Sequence, residues 1–170
     1  MRLVILGAGG YGRTVADIVA QLGYDVAFLD DNSHADDVLG KCEDFARYRY
    51  RDENTFFYPA FGNNETRLNW LHRLIAAGCS LPTLIHPTAY VSPTAKVELG
   101  AVILPHAIVN TNCVVNAGCI VNCGAIVDHG CVLEEGVHVC LGAIVKAENR
   151  IPRGMKVEAR EIVQNRTYPV

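Results

Sequence analysis

Six histidines, seven cysteines and one glycine-rich loop are the residues of this 170-residue chain that invite chemistry. A neutral imidazole accepts a proton near pH 7, so each histidine is a candidate general base. His129 stands two places after Val127, and His138 stands immediately before Val139. Both belong to a periodic stretch described below. His106 falls where that stretch otherwise places glycine and reads as a turn residue. His86 precedes Pro87 and reads as structural, while no pattern surrounds His34 or His72. The cysteine count is odd, no secretion signal is expected at the N-terminus, and no CxxC pair occurs. The thiols therefore read as reduced and cytosolic rather than as a disulfide framework or a zinc site.

The glycine loop is Gly7-Ala8-Gly9-Gly10-Tyr11-Gly12. It follows the apolar run Arg2 to Leu6 and precedes Val15, Ile18, Val19 and Leu22, which share one helical face. A tight turn of this kind lets backbone N–H groups and a helix N-terminus approach a phosphate. Asp30 and Asp31 end a second strand, Val26 to Leu29, near the offset expected of a ribose-binding carboxylate. The competing reading is a glycine turn that only packs strand against helix.

The elements that must position these groups fall into two parts. Residues 1–80 read as a βαβ half of a dinucleotide fold, with Gly23 closing the first helix, a third strand at Thr55 to Tyr58 and a helix over Asn63 to Ala77. A full dinucleotide fold needs a second half, so a nucleotide or nucleotide sugar fits better than NAD. Residues 81–170 are periodic instead. From Ile85, every sixth residue is aliphatic: Val91, Val97, Ile103, Val109 and onward without a slip to Val157. Four places after most of them stands a small residue, among them Ala101, Ala107, Cys113, Cys119, Ala125 and Cys131, a column that lapses in the last hexads. Three places after many of them stands a glycine, as at Gly118, Gly124, Gly130, Gly136 and Gly142.

Neither a helix nor a simple strand repeats every six residues. A short strand plus a turn does, with the aliphatic inside, the small residue where the backbone folds inward, and glycine supplying a positive φ. The core cysteines become packing thiols. The residue before each aliphatic (Val102, Ile108, Val114, Ile120, Ile126, Val132, Ile144) should point outward. Such an apolar outer face predicts an interface, most naturally in a homotrimer. Half the chain is apolar, 19 % is charged and the formal net charge is −3. No basic block or membrane-length apolar run appears, so neither nucleic acid nor a membrane is expected as a partner.

The repeat resembles that of the hexapeptide-repeat transferases, whose three hexads make one triangular coil of a left-handed β-helix. With the N-terminal half, the chain resembles the PglD-like, sialic acid O-acetyltransferase family of sugar acetyltransferases. The resemblance rests on Leu6 to Gly12, Leu29-Asp30-Asp31, Phe61-Gly62-Asn63-Asn64, Ile85-His86-Pro87 and Val127-Asp128-His129-Gly130-Cys131, in that order. It implies an α/β N-terminal βαβ subdomain followed by a left-handed parallel β-helix. It also implies acetyl transfer from acetyl-CoA to an amino or hydroxyl group of a UDP-linked sugar, by a cytoplasmic homotrimer without a metal. Gly9, Gly10, Tyr11, Asp30, Asp31 and Gly62 would line the nucleotide-sugar site. His129 would be the general base, and His138, Gly142 and Ala147 would meet acetyl-CoA. Many relatives carry histidine at the position of Tyr11.

Two departures stand out. Relatives often place an acid directly after the catalytic histidine, where this chain has Gly130. Eighteen residues on, one coil above, Glu148 lies over Gly130 and Ala147 over His129, so Glu148 is expected to take the acid's role, with Asp128 as its rival. His129 and His138 lie nine residues apart, about half a coil, too far round to share a zinc ion. Only 41 residues follow His129, fewer than relatives usually carry. Lys146, Arg150 and Arg153 are candidates for the CoA phosphates, or else solvated charges, and residues 165–170 read as a cap. The alternative function is a catalytically impaired trimer that binds nucleotide sugar or serves as a scaffold. Acceptor choice is expected to depend on loops within residues 31–60.

Overall fold

Leu3, Val4, Ile5 and Leu6 are fully buried, as an apolar run stopping at a glycine predicts. In the computed structural model, which describes residues 1–49 and 54–170, this run is β1 (Arg2–Leu6). It is followed by α1 (Gly10–Gln21), β2 (Asp25–Leu29), α2 (Phe45–Arg49), β3 (Thr55–Pro59) and α3 (Asn64–Ala76). The three strands form a parallel sheet in the order β2-β1-β3. The helix α1 begins inside the glycine loop, five residues before Val15, where the apolar periodicity starts. Gly23 follows it with φ +81, the left-handed conformation that closes a helix. Asn63 caps α3 by accepting a hydrogen bond from the Thr66 amide at 2.9 Å. Part of the 31–60 segment expected to govern acceptor choice, residues 50–53, lies outside the described residues.

This first compact unit spans Met1–Pro82, and the second spans Thr83–Val170. The second unit is a parallel β-helix of two-residue strands. Each strand pairs with the one eighteen positions on, so Ile120 lies between Val102 and His138, and Ile126 between Ile108 and Ile144. Three faces result. The outward residues of the first are Leu84, Val102, Ile120, His138 and Lys156. Those of the second are Tyr90, Ile108, Ile126, Ile144 and Ile162. Those of the third are Lys96, Val114, Val132 and Arg150.

The six-residue column forms the core: Ile103 through Val157 are fully buried, and each such side chain contributes about 2 kcal/mol. Cys113, Cys119 and Cys131 are buried in the small-residue column. Their thiols donate to the carbonyls of Asp128, Glu134 and Lys146 at 3.0, 3.0 and 3.2 Å. The turn column has positive φ at its glycines, and also at His106, Asn112, Glu148, Arg160 and Arg166.

The small-residue column does not simply lapse toward the end of the chain. Asn149 occupies it, fully buried, and its amide donates to the carbonyls of Lys146 and Gln164 at 2.8 Å each. Its Oδ1 accepts from the Tyr168 amide at 2.8 Å. A buried side-chain amide thereby fastens the terminal segment that reads as a cap.

Candidate active site

The glycine loop in the first unit separates into two kinds of glycine. A Cβ on Gly12 would lie 1.9 Å from the Gly7 carbonyl oxygen. Gly7 itself has φ +101, and a Cβ there would lie 3.0 Å from the Ala60 oxygen. These two are required for β1 to pack against α1 and β3. Around Gly9, Gly10 and Gly62, by contrast, a Cβ would meet nothing within 4 Å, and all three are exposed. Packing does not explain their lack of a side chain. Gly9 and Gly10 leave open space at the first turn of α1, which has neither a side-chain cap nor an acidic residue. Uncapped amides and a helix dipole there favour an anion.

Asp30 holds this loop. Its Oδ2 accepts the Ala8 amide at 2.7 Å, and its Oδ1 accepts those of Asn32 and Ser33 at 2.8 Å each. Burial pushes the carboxyl pKa up, but the three amides and Arg13 outweigh it and hold the value below the ordinary range. Asp31 is exposed, with Oδ1 accepting from the Cys42 amide at 3.0 Å. Beyond the two acids opens a cavity of about 520 Å³, bordered also by His34, Lys41 and Arg47. The Tyr11 hydroxyl is bound to that of Tyr58 at 2.8 Å, and burial with the neighbouring Tyr58 pushes its pKa up. Tyr11 thus directs its polar end at another tyrosine.

Two arginines that the sequence reading passed over shape the same region. Arg13 pairs with Asp37 through its two terminal guanidinium nitrogens. It also donates to the Ala8 carbonyl at 3.3 Å and lies 4.1 Å from the centre of the Phe28 ring. Arg67 is fully buried and donates to the Phe61 carbonyl at 3.0 Å and to Asn64 Oδ1 at 2.8 Å, fixing the turn that carries Gly62. Its spacing from Leu71 and Leu74 places it on the apolar face of α3, a signal that could have revealed it.

In the second unit, His129 is exposed at the corner between the second-face strand Ile126–Val127 and the third-face strand Val132–Leu133. Asp128 Oδ1 accepts the His129 backbone amide at 2.7 Å and the Asn110 side-chain amide at 3.4 Å. Glu148 does lie over Gly130: its Cγ would be 3.6 Å from a Cβ there, and its amide donates to the His129 carbonyl at 3.1 Å. Its carboxylate, however, is taken by Arg166, with Nε 2.6 Å from Oε2. Neither acid is hydrogen-bonded to the imidazole of His129. Gly130, Glu148, Arg166, Pro169 and Val170 border a cavity of about 490 Å³ at this corner.

The residues expected to meet acetyl-CoA fall on two corners. Ala147 stacks above His129 and is buried, leaving only its backbone to meet a ligand. His138 and Gly142 belong to the other flank of the second face, where the first-face strand His138–Val139 turns toward Ile144–Val145. The Asn122 side-chain nitrogen lies 3.1 Å from His138 Nε2, while Asn122 Oδ1 accepts the Cys123 amide at 2.8 Å. With its oxygen so engaged, the asparagine presents its NH2 group to Nε2. His86 is buried, and its Nδ1 accepts the Thr88 amide at 3.1 Å, a structural role. Lys146 is bound to Gln164 at 2.7 Å, and Arg150 and Arg153 pair with Glu134 and Glu135. Among the described residues, no group of three or more His, Cys, Asp or Glu side chains is arranged to hold a metal, and no helix is long and apolar enough to cross a membrane.

Comparison with known proteins places these features in a family. The PglD N-terminal domain matches residues 2–74. The acetyltransferase domain of PglB from Neisseria gonorrhoeae is 34% identical, with a TM-score of 0.91 over 96% of this chain and 82% of that one. A structure of the same domain in complex with acetyl coenzyme A aligns at 28% identity and a TM-score of 0.57, over 94% of this chain and 97% of that one. PerB from Caulobacter crescentus, solved in complex with CoA and GDP-perosamine, shares the fold at 21% identity and a TM-score of 0.60, over 96% and 92% of the two chains. No curated protein matches the sequence. With its short α/β unit and left-handed β-helix, the chain belongs to the PglD-like family of hexapeptide-repeat sugar acetyltransferases.

Proposed function

We propose that this acetyltransferase moves the acetyl group of acetyl-CoA onto an amino or hydroxyl group of a UDP-linked sugar. The observation that carries the nucleotide part is the pair of open glycines, Gly9 and Gly10, at the uncapped start of α1. The diphosphate would lie there, with Asp31 beside the ribose and Asp30 holding the loop rather than the ligand. PerB, solved with CoA and GDP-perosamine, is a precedent for a nucleotide-linked acceptor in this fold.

In the reaction, the acceptor nitrogen or oxygen attacks the thioester carbonyl while His129 removes its proton. The tetrahedral intermediate then expels the thiolate of CoA, which takes the proton from the imidazolium. Glu148 is fixed by Arg166 one coil above Gly130. It would act on the imidazolium through its charge, and Asp128 through the backbone of His129.

We propose further that three copies assemble with their second faces toward a common axis. Leu84, Val102 and Ile120 of the first face are fully buried within one chain, whereas Tyr90 and Ile162 of the second are 54% and 49% exposed. The His129 corner flanks this face on one side and the His138–Gly142 corner on the other. A threefold arrangement brings the first corner of each copy to the second corner of the next, so base and thioester meet only between copies. A light-scattering mass of one chain in solution would contradict that assembly. The unpaired state of all seven cysteines suits a reducing compartment, and we assign the reaction to the cytoplasm.

The test is thiol release from acetyl-CoA in the presence of UDP- and GDP-linked amino sugars, with the product weighed by mass spectrometry. The expected result is acetylated UDP-sugar. Preferential acetylation of a GDP-sugar would overturn the assignment of uridine as the nucleoside. Binding of nucleotide sugar without turnover of any acceptor would support the impaired-scaffold reading instead.

A further inference from the structure

The cations of the last coils nearly all have polar partners within the chain. Arg150 pairs with Glu134, Arg153 with Glu135, Lys156 with Glu158 and Arg166 with Glu148, and Lys146 is bound to Gln164. Arg160 differs. It is exposed, and its guanidinium has no hydrogen-bond or ion-pair partner among the described residues. It stands in the turn column directly above Gly142, its amide donating to the Leu141 carbonyl at 3.0 Å. Its Cγ would lie 3.9 Å from a Cβ on Gly142, so the stem leans back along the ridge that Gly124 and Gly142 leave bare. Beside that ridge, Leu141 is 54% exposed. The ridge thus offers an apolar side chain and bare backbone, ending in a free guanidinium. That order suits a ligand with an uncharged arm and an anionic head.

We propose that Arg160 binds the phosphates of the coenzyme A donor. The inference rests on the reading above that the His138–Gly142 corner receives acetyl-CoA. A guanidinium is the side chain best matched to phosphate oxygens. The more obvious candidates, Lys146, Arg150 and Arg153, already have partners inside the protein.

The φ of Arg160, +63°, lies in the region that favours glycine, so Arg160→Gly removes the charge without disturbing the corner. The measurement is kcat/KM of wild type and variant with two donors, acetyl-CoA and S-acetylpantetheine, which lacks the nucleotide and its phosphates. The expected result is that the preference for acetyl-CoA over S-acetylpantetheine drops about tenfold in the variant, through KM, as the loss of a charge-assisted contact implies. Acetyl-dephospho-CoA locates the contact: a persistent drop marks the diphosphate and a vanished one the 3′-phosphate, and either supports the proposal. An unchanged preference, or an equal loss with both donors, would overturn it. Calorimetric Kd values for CoA on the two chains make the same distinction without turnover. A failure of Arg160 is therefore separable from a failure of the acetyltransferase reading, which the wild-type assay tests.

Discussion

Asp30 uses both carboxylate oxygens on the backbone of its own unit, through Ala8, Asn32 and Ser33. Its depressed pKa carries a pH signature. A carboxyl whose folded pKa lies below its unfolded value adds stability that is present above pH ~4 and lost as the pH falls through the folded pKa. Asp30→Asn cannot accept on both sides, so it should cost about 2 kcal/mol in urea unfolding at pH 7. That gap should narrow as the pH drops below about 4. A gap of the same size at pH 3 would show that the charge is not what matters. The position of this acid after the second strand was readable from spacing, but its partners were not, because backbone amides leave no mark in residue identity. The same holds at the proposed base. Stacking placed Glu148 above Gly130, yet the carboxylate's choice of Arg166 depends on a third coil, Glu148 and Arg166 being vertical neighbours in the turn column.

The glycine loop is best tested as an element, because its glycines serve different ends. Gly12→Ala forces a Cβ onto the Gly7 carbonyl and should destabilise the first unit by about 3 kcal/mol. Gly9→Val adds a Cβ that meets nothing within 4 Å and should leave the melting temperature close to wild type. It should nevertheless weaken nucleotide binding, read by titration calorimetry with UDP, at least tenfold if the diphosphate occupies that space. Equal UDP affinity in Gly9→Val and wild type would remove the nucleotide from the loop. Both readings of the glycine motif, phosphate cradle and packing turn, were open from sequence. The structure assigns packing to Gly7 and Gly12, and leaves Gly9 and Gly10 free for a ligand. In the β-helix the six-residue column was fully readable, since each aliphatic has one inward position. Asn149 was not, because a polar residue in the small column looks like a lapse until its backbone partners are seen.

At the scale of the whole molecule, the outer aliphatics do not form one stripe. Those of the first face are buried within the chain, those of the third are bounded by Lys96 and Arg150, and the isoleucines of the second face remain for association. Sequence periodicity named the residues but could not say which of the three faces stays open. In the proposed trimer, His129 and the donor corner would come from different copies, and the chemistry would belong to the assembly. The measurement that tests this account most directly is kcat for acetyl transfer by His129→Asn. It is to be made on protein whose oligomeric mass and whose binding of acetyl-CoA and nucleotide sugar match wild type. Loss of a general base predicts kcat lower by about a hundredfold or more, with both affinities retained. A kcat equal to wild type would contradict the account, because no base would then act at the corner from which it is built.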